Sequence, residues 1–419
     1  MSENQGSVTG QVSYHGNTPQ LRGLAIVTTL LTLATFGVYR FWARTRLRRY
    51  FWSAVAVDGH GFEYTGKGIE KLIGFLIAVA VLAIYLGVFQ VLSSFAGLSL
   101  FDTVDPKAGQ IRGILLTYAT FLAVAPLIFY ARYRARRYLL SRTKWKGIRF
   151  GADQAAWGYA ARAIGHWMLT LVTLGILLPR QTFYLEKYKT DRSWFGDAKF
   201  TQEGRWQSLY AAMKHIFISL AIMIAGGIIV GLLIWADVES DQMSSADIGQ
   251  ALLGGVIVFI GMIWFYIGIA YYNVHAFRIL TAGKRLGGKI QFTSKPRTAR
   301  IIGIYLLGGL IISMLAPLIA GLIGGILGIL SNAALSGVDL GTGNVPAGAL
   351  VGMALGYIAM FVIIGVLTLI FITQPVLKHY ATVTSVQNAE ALADVSQREG
   401  DEMIEAEGFA DALDVGAGF

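Results

Sequence analysis

Long apolar runs alternate along this chain with short, strongly cationic polar stretches. Six runs are long enough to span a membrane as helix: about 69–97, 110–140, 206–236, 247–282, 298–330 and 346–386. A hydrocarbon core of about 30 Å needs roughly 20 helical residues, so most of these helices project beyond it or tilt. Two shorter apolar runs, about 22–40 and 158–178, remain. The ten-residue alternating segments typical of a transmembrane β-barrel are not seen. The pattern predicts an all-α polytopic membrane protein. It has about three internally repeated transmembrane hairpins (six long spans), two short dipping or interfacial segments, and basic amphipathic cytoplasmic helices.

Composition agrees. Of 419 residues, 55% are hydrophobic and 14% charged, against about 25% charged in soluble domains. The mean hydropathy is +0.56. Cysteine is absent, which excludes disulfides, thiolate metal sites and a cysteine nucleophile. The start, MSENQGSVTGQVSYHGNTPQ, has neither a basic n-region nor an apolar h-region, so no cleavable signal peptide is expected. The expected organisation is a polar segment 1–20, one membrane domain 21–386 with repeats at about 21–155, 156–297 and 298–386, and an acidic tail 387–419.

Charge placement sets the topology. Segments 40–67, 131–149, 179–205 and 278–300 hold six, eight, six and seven Lys and Arg, which is 27 of the 35. The connections 98–110, 236–247 and 331–346 are nearly free of them. The positive-inside rule puts the basic segments in the cytoplasm and the others outside. Segment 158–178 then lies between two cytoplasmic stretches and must dip and return or lie in the interface. The alternative is a simple span with one basic loop outside, making eight spans. Segment 22–40 follows its homologue, so both termini are expected on the cytoplasmic side of the membrane.

The cationic stretches repeat. A shift of 88 carries Arg44, Arg46, Arg48, Arg49 and Tyr50 onto Arg132, Arg134, Arg136, Arg137 and Tyr138, and Gly59 and Phe62 onto Gly147 and Phe150. A shift of 138 carries LTLATFG (31–37) onto LTLVTLG (169–175), Tyr50 onto Tyr188 and Phe62 onto Phe200. Neither needs a gap. Fainter copies stand at GKIQF (288–292) and near Tyr380. The unit is an apolar segment, a polar or basic helix, and a glycine turn closing on phenylalanine.

At about 100° per residue, Arg44, Arg46, Arg48 and Arg49 occupy one side of a helix, with Leu47, Tyr50 and Phe51 opposite. Such a helix suits the membrane surface, with guanidiniums toward anionic lipid headgroups. Competing readings of the eight arginines are a docking face for an acidic partner or for the chain's own tail, and an anion or headgroup pathway. No recognition module for nucleic acid accompanies them. The tail after Gln387 carries nine acids and one base.

Chemistry-bearing patterns are sparse. The long runs hold almost no ionisable residue at mid-depth, unlike ion-coupled transporters. Six histidines form no ligand spacing, and neither paired carboxylates nor a nucleophile elbow occurs. No catalytic, cofactor or metal residue is assigned, and an enzyme is not expected. Gly227, Gly231, Gly321, Gly325, Gly348, Gly352 and Gly356 have the four-residue spacing that permits close helix packing, within the chain or in an oligomer.

The stretch LTLATFGVYRFWARTRLRRYFWSAVAVDGHGFEYTGKG resembles the YjgN-like family of bacterial inner-membrane proteins. Its hallmark is matched at Trp42, Ala43, Arg46, Arg48, Arg49, Tyr50, Gly59, Phe62, Tyr64 and Gly66, with Phe41 where proline is common. The ending GFADALDVGAGF is similar as well. The resemblance implies a domain of unknown function with no catalytic residue to carry over, and a membrane metallopeptidase as a candidate partner. The expected function is a non-enzymatic scaffold or partner subunit of a membrane complex. The alternative is a transporter, channel or lipid-moving protein with a cavity near the arginine helices.

Overall fold

The computed structural model describes residues 9–98, 106–240, 245–334 and 347–398. The chain is built from one repeated device, a strand that runs into a helical hairpin and returns as a second strand beside the first. In the first unit β1 (Thr9–Tyr14) leads to α1 (Thr18–Ala34), α2 (Arg40–Ala54) and β2 (Val55–Val57). The second has β3 (His60–Tyr64), α3 (Gly68–Phe95), α4 (Pro106–Ser141) and β4 (Thr143–Trp145). The third has β5 (Ile148–Ala152), α5 (Ala156–Val172), α6 (Leu178–Thr190) and β6 (Ser193–Phe195). The fourth has β7 (Ala198–Gln202), a 3₁₀ turn, α7 (Lys214–Ser240), α8 (Ser245–Ala282) and β8 (Lys284–Leu286). The fifth has β9 (Ile290–Ser294), α9 (Thr298–Ala334) and α10 (Ala347–Thr368). A π turn then leads into α11 (Gln374–Thr382) and β10 (Thr384–Gln387).

The all-α expectation is therefore overturned. Ten antiparallel strands close into a barrel, with β10 pairing β1 to join the two ends of the described chain. Five units, rather than three hairpins, make the ring among the described residues. The equivalence shows in one bond made five times, where the residue after each first strand donates its N–H to the carbonyl of the residue just before the returning strand. The pairs are His15 to Ala54, Thr65 to Arg142, Asp153 to Arg192, Glu203 to Gly283 and Lys295 to Val383, at 2.7–3.1 Å. The strands escape a periodicity reading because they are three to six residues long, and all but β1 and β10 fall in or at the edge of the cationic stretches. An alternation needs about four to eight residues to register.

Register then explains the repeated phenylalanine. The directly opposed pairs Val12–Val57, Phe62–Trp145, Phe150–Phe195, Phe200–Leu286 and Phe292–Val386 recur once per unit. All ten side chains belong to one apolar cluster filling the lumen. Phe150 and Phe195 approach to 4.6 Å between ring centroids, a tilted arrangement aromatic pairs favour. Tight turns join the units, and Asp58–Gly59, Lys146–Gly147 and Gly287–Gly288 all have positive φ. In the first two, which are two-residue loops, that is the backbone whose twist matches the hairpin, whereas Gly287–Gly288 opens a three-residue loop that includes Lys289. Past β10, Ala389, Ala391, Leu392 and Val395 pack onto the lumen cluster. Ser396 is tied to Asp197 and Gln397 to the Arg149 N–H. The rest of the acidic tail, 399–419, lies outside the described residues.

Among the described residues six helices are long and apolar enough to cross a membrane: the pairs α3/α4 and α7/α8, α9, and α10 with its continuation through α11. The short hairpins α1/α2 and α5/α6 instead stand with both feet on the barrel, since β1 pairs β2 and β5 pairs β6. At 1.5 Å per residue the 13-residue α6 is about 20 Å long, less than a bilayer core. Their tips turn through the same left-handed pair, Phe36–Gly37 and Leu174–Gly175. Phe36 is 100% exposed and Leu174 86%, so the tips present apolar side chains outward.

Phe195, 1% exposed at the heart of the lumen, sets a test. Phe195→Ala should remove on the order of 3–5 kcal/mol and lower the melting temperature of the detergent-solubilised protein by several degrees. An unchanged melt would show that the lumen does not hold the ring.

Candidate functional site

The polar residues of the repeat gather at the belt where helices leave the barrel, and they act as two kinds of clamp. In the first three units the repeat tyrosine closes the unit on itself. Tyr50 Oη donates to the Asn17 carbonyl at 2.7 Å and Tyr188 Oη to the Ala155 carbonyl at 3.0 Å, each at the start of the partner helix. Tyr138 Oη donates to Glu70 Oε2 at 2.9 Å, in the first turn of α3. In the same three units the preceding cation ties the unit to the next. Arg49 Nη2 donates to the Gly66 carbonyl at 3.1 Å, Arg137 Nε to that of Ala152 at 3.0 Å, and Lys187 Nζ to that of Gln202 at 2.8 Å. A hydrogen bond from a charged donor is stronger than a neutral one, so these are structural bonds.

The position before the clamping cation points into protein. Arg48 is 1% exposed, with its Nη1 3.5 Å from Tyr64 Oη. Lys71, 0% exposed, stands 5.6 Å from the same tyrosine ring. The equivalent residue in the third unit is Glu186, bridged to Lys284 at 2.7 Å and Lys189 at 2.6 Å. Burial pushes the Glu186 carboxyl up, but Lys284, Lys189 and Arg136 outweigh it and hold it well below the usual carboxylate range. Glu70 similarly pairs Arg142 at 2.9 Å.

The eight arginines thus divide. Arg46, Arg49 and Arg132 are exposed, Arg44, Arg134, Arg136 and Arg137 are half-buried, and Arg48 is buried. The opposite face of α2 does not face lipid. Tyr50 and Phe51 pack with Leu21, Leu24, Leu369 and Leu377. Gly59 and Gly147 sit in the barrel turns, and Phe62, Phe150 and Phe200 in the lumen. Among the glycines, Gly348 meets Asn332, Gly352 meets Gly324 and Gly328, and Gly356 meets Gly324, where α9 and α10 close up. Gly227, Gly231, Gly321 and Gly325 have open space where a Cβ would stand. Glu186, Lys187 and Lys284 are missing from the sequence-derived set. The shift of 138 does align Lys187 with Arg49, a signal of equal charge at equal place.

Beside α1 and α2 lies a cleft of about 880 Å³, whose lining includes Arg46, Arg49, Ser53, Gln20, Gly23 and Val27. Among the described residues, no group of three or more His, Asp or Glu could hold a metal ion.

Six apolar helices carried on a closed strand ring define a multi-pass membrane protein. The chain belongs to the family described as "Bacterial protein of unknown function (DUF898)", which matches residues 9–412. It is similar to the inner membrane protein YjgN of Salmonella typhimurium strain LT2, 26% identical over 166 residues. That alignment covers 36% of this chain and 37% of the relative. No solved structure matches the chain.

The Glu186 cluster makes stability depend on acid. A carboxyl whose folded pKa is depressed contributes stability that is present above its unfolded value, about 4.3, and lost as pH falls through the folded value. Glu186→Gln should cost about 3 kcal/mol at neutral pH, the lower end of the range for a buried pair because 17% of the side chain meets solvent. Thermal melts of wild type and variant should converge once the pH falls well below 4. A gap unchanged down to pH 3 would show that the ion cluster is not its source.

Proposed function

We propose that this protein is a non-enzymatic scaffold or partner subunit of a complex in the bacterial inner membrane, with the barrel and both chain ends in the cytoplasm. The carrying observation is how much apolar surface the spans leave uncovered, although α7 packs along α8 and α9 along α10. Only 0–17% of each most apolar 18-residue window lies inside the protein. Helices α3 and α4 meet at few points, among them Tyr85 Oη to the Ala123 carbonyl at 3.0 Å. Small residues mark helix contacts in membranes, yet Gly227, Gly231, Gly321 and Gly325 face open space. Arg49, Arg137 and Lys187, meanwhile, are engaged in holding the ring. A membrane protein seated on α7 or α9 accounts for both facts, and a membrane metallopeptidase is one such partner. The relative's description as an inner membrane protein supports the location. The cationic segments at the barrel support its cytoplasmic side.

A tagged chain purified from native membranes in mild detergent should bring down a membrane protein in stoichiometric amount. That protein should be lost on Gly231→Leu or Gly321→Leu, positions where an added Cβ meets nothing within 4 Å. Recovery of the chain alone would overturn the proposal. Orientation is tested separately through the natural absence of cysteine. Lys199→Cys, exposed on β7, should react with a membrane-impermeant maleimide only after the inner membrane is opened. Labelling in cells with only the outer membrane permeabilised would put the barrel outside.

The second reading, a lipid-moving protein, is favoured by the cleft beside Arg46 and Arg49.

A further inference from the structure

We infer that the cleft between α1, α2 and β3 is a binding site for the phosphate headgroup of an anionic phospholipid, with its acyl chain laid along α1. The inference is independent of the scaffold reading. The lining changes character along its length. On α1, Gln20, Gly23, Leu24 and Val27 line it at successive turns, running from the barrel toward the apolar tip. On α2, running back, Arg46, Arg49, Tyr50 and Ser53 line it at the same spacing. The cationic part is therefore flanked by an apolar track that ends at Val27, 48% exposed on the outer surface of the hairpin. A headgroup held there sits at the level where chain leaves barrel for membrane, the level at which phospholipid phosphates lie.

The third unit acts as an internal control. There the same hairpin is filled and neutralised by the chain itself. Asp191 stands in the place of Ser53 and pairs with Lys187 at 2.9 Å. Arg162 stands in the place of Leu24, with its guanidinium 4.8 Å from the Tyr188 ring centroid. In the first unit the corresponding space is kept open. A Cβ on Gly23 would meet nothing within 4 Å. Two exposed arginines face the cleft. Glu63 is also in the lining, and its carboxylate can accept but not donate to a headgroup hydroxyl.

The test is native mass spectrometry on the full chain, released from detergent after addition of phosphatidylglycerol, phosphatidylethanolamine or inorganic phosphate. Wild type should retain one phosphatidylglycerol in preference to phosphatidylethanolamine. Gly23→Leu, which fills the cleft without touching a charge, and Arg46→Gln, which spares the Arg49 clamp, should each reduce that adduct about fivefold or more. Melting temperatures of the lipid-free variants should match wild type. Retention by both variants at the wild-type level would overturn the site. Equal retention of phosphatidylethanolamine would overturn its selectivity for anionic lipid. Displacement by millimolar inorganic phosphate would make it a site for free anions rather than lipid.

Discussion

The pairing of β10 with β1 is the contact on which the rest depends. Strands of three to six residues are too short to stand as an open sheet, and every open edge exposes unpaired N–H and C=O groups. Ten of them become stable once the last finds the first, because each strand then has two neighbours and the lumen can be filled. That closure brings residue 9 to residue 387. It also fixes both feet of every helical hairpin on one side of the molecule, which is what lets some hairpins be long and others short without altering the ring.

The belt above the lumen follows from the same geometry. Each of the first three units presents one helix end, one tyrosine and one cation, so a bond that closes one unit is repeated in the next. Where the side chain changes, its neighbours change with it. Arg48 packs against a tyrosine, while its counterpart Glu186 gathers Lys189 and Lys284. The arginine-rich phrase that first reads as a charged surface is thus divided. Part of it locks the ring and part of it, Arg46 above all, faces outward. The hairpins that carry it differ in the same way, since α5/α6 is closed by Asp191 and Arg162 whereas α1/α2 keeps a cleft.

Much of this was legible before any fold was known. The six apolar runs lie within a few residues of the six candidate spans, except that residues 206–212 form a 3₁₀ turn and 384–387 a strand. The repeated Tyr, Gly and Phe were found by their spacing, and each occupies an equivalent place in the structure. The glycines were only half legible. Four-residue spacing marks a helix face but not what lies against it, so Gly352 closes on α9 while Gly231 faces open space.

By itself, the sequence determined that the chain is a repeating membrane protein, because hydropathy, charge asymmetry and repeat spacing are local properties that survive without a fold. Only the tertiary structure decided that the repeats are five, that they meet in a closed barrel, and that Arg49 and Arg137 bind carbonyls. A strand as short as Val55–Val57 carries no period of its own. Its identity comes from partners such as Val12, 45 positions away in the chain and opposite Val57 only once the ring is closed. Whether an arginine is surface or strut is decided by the same non-local closure.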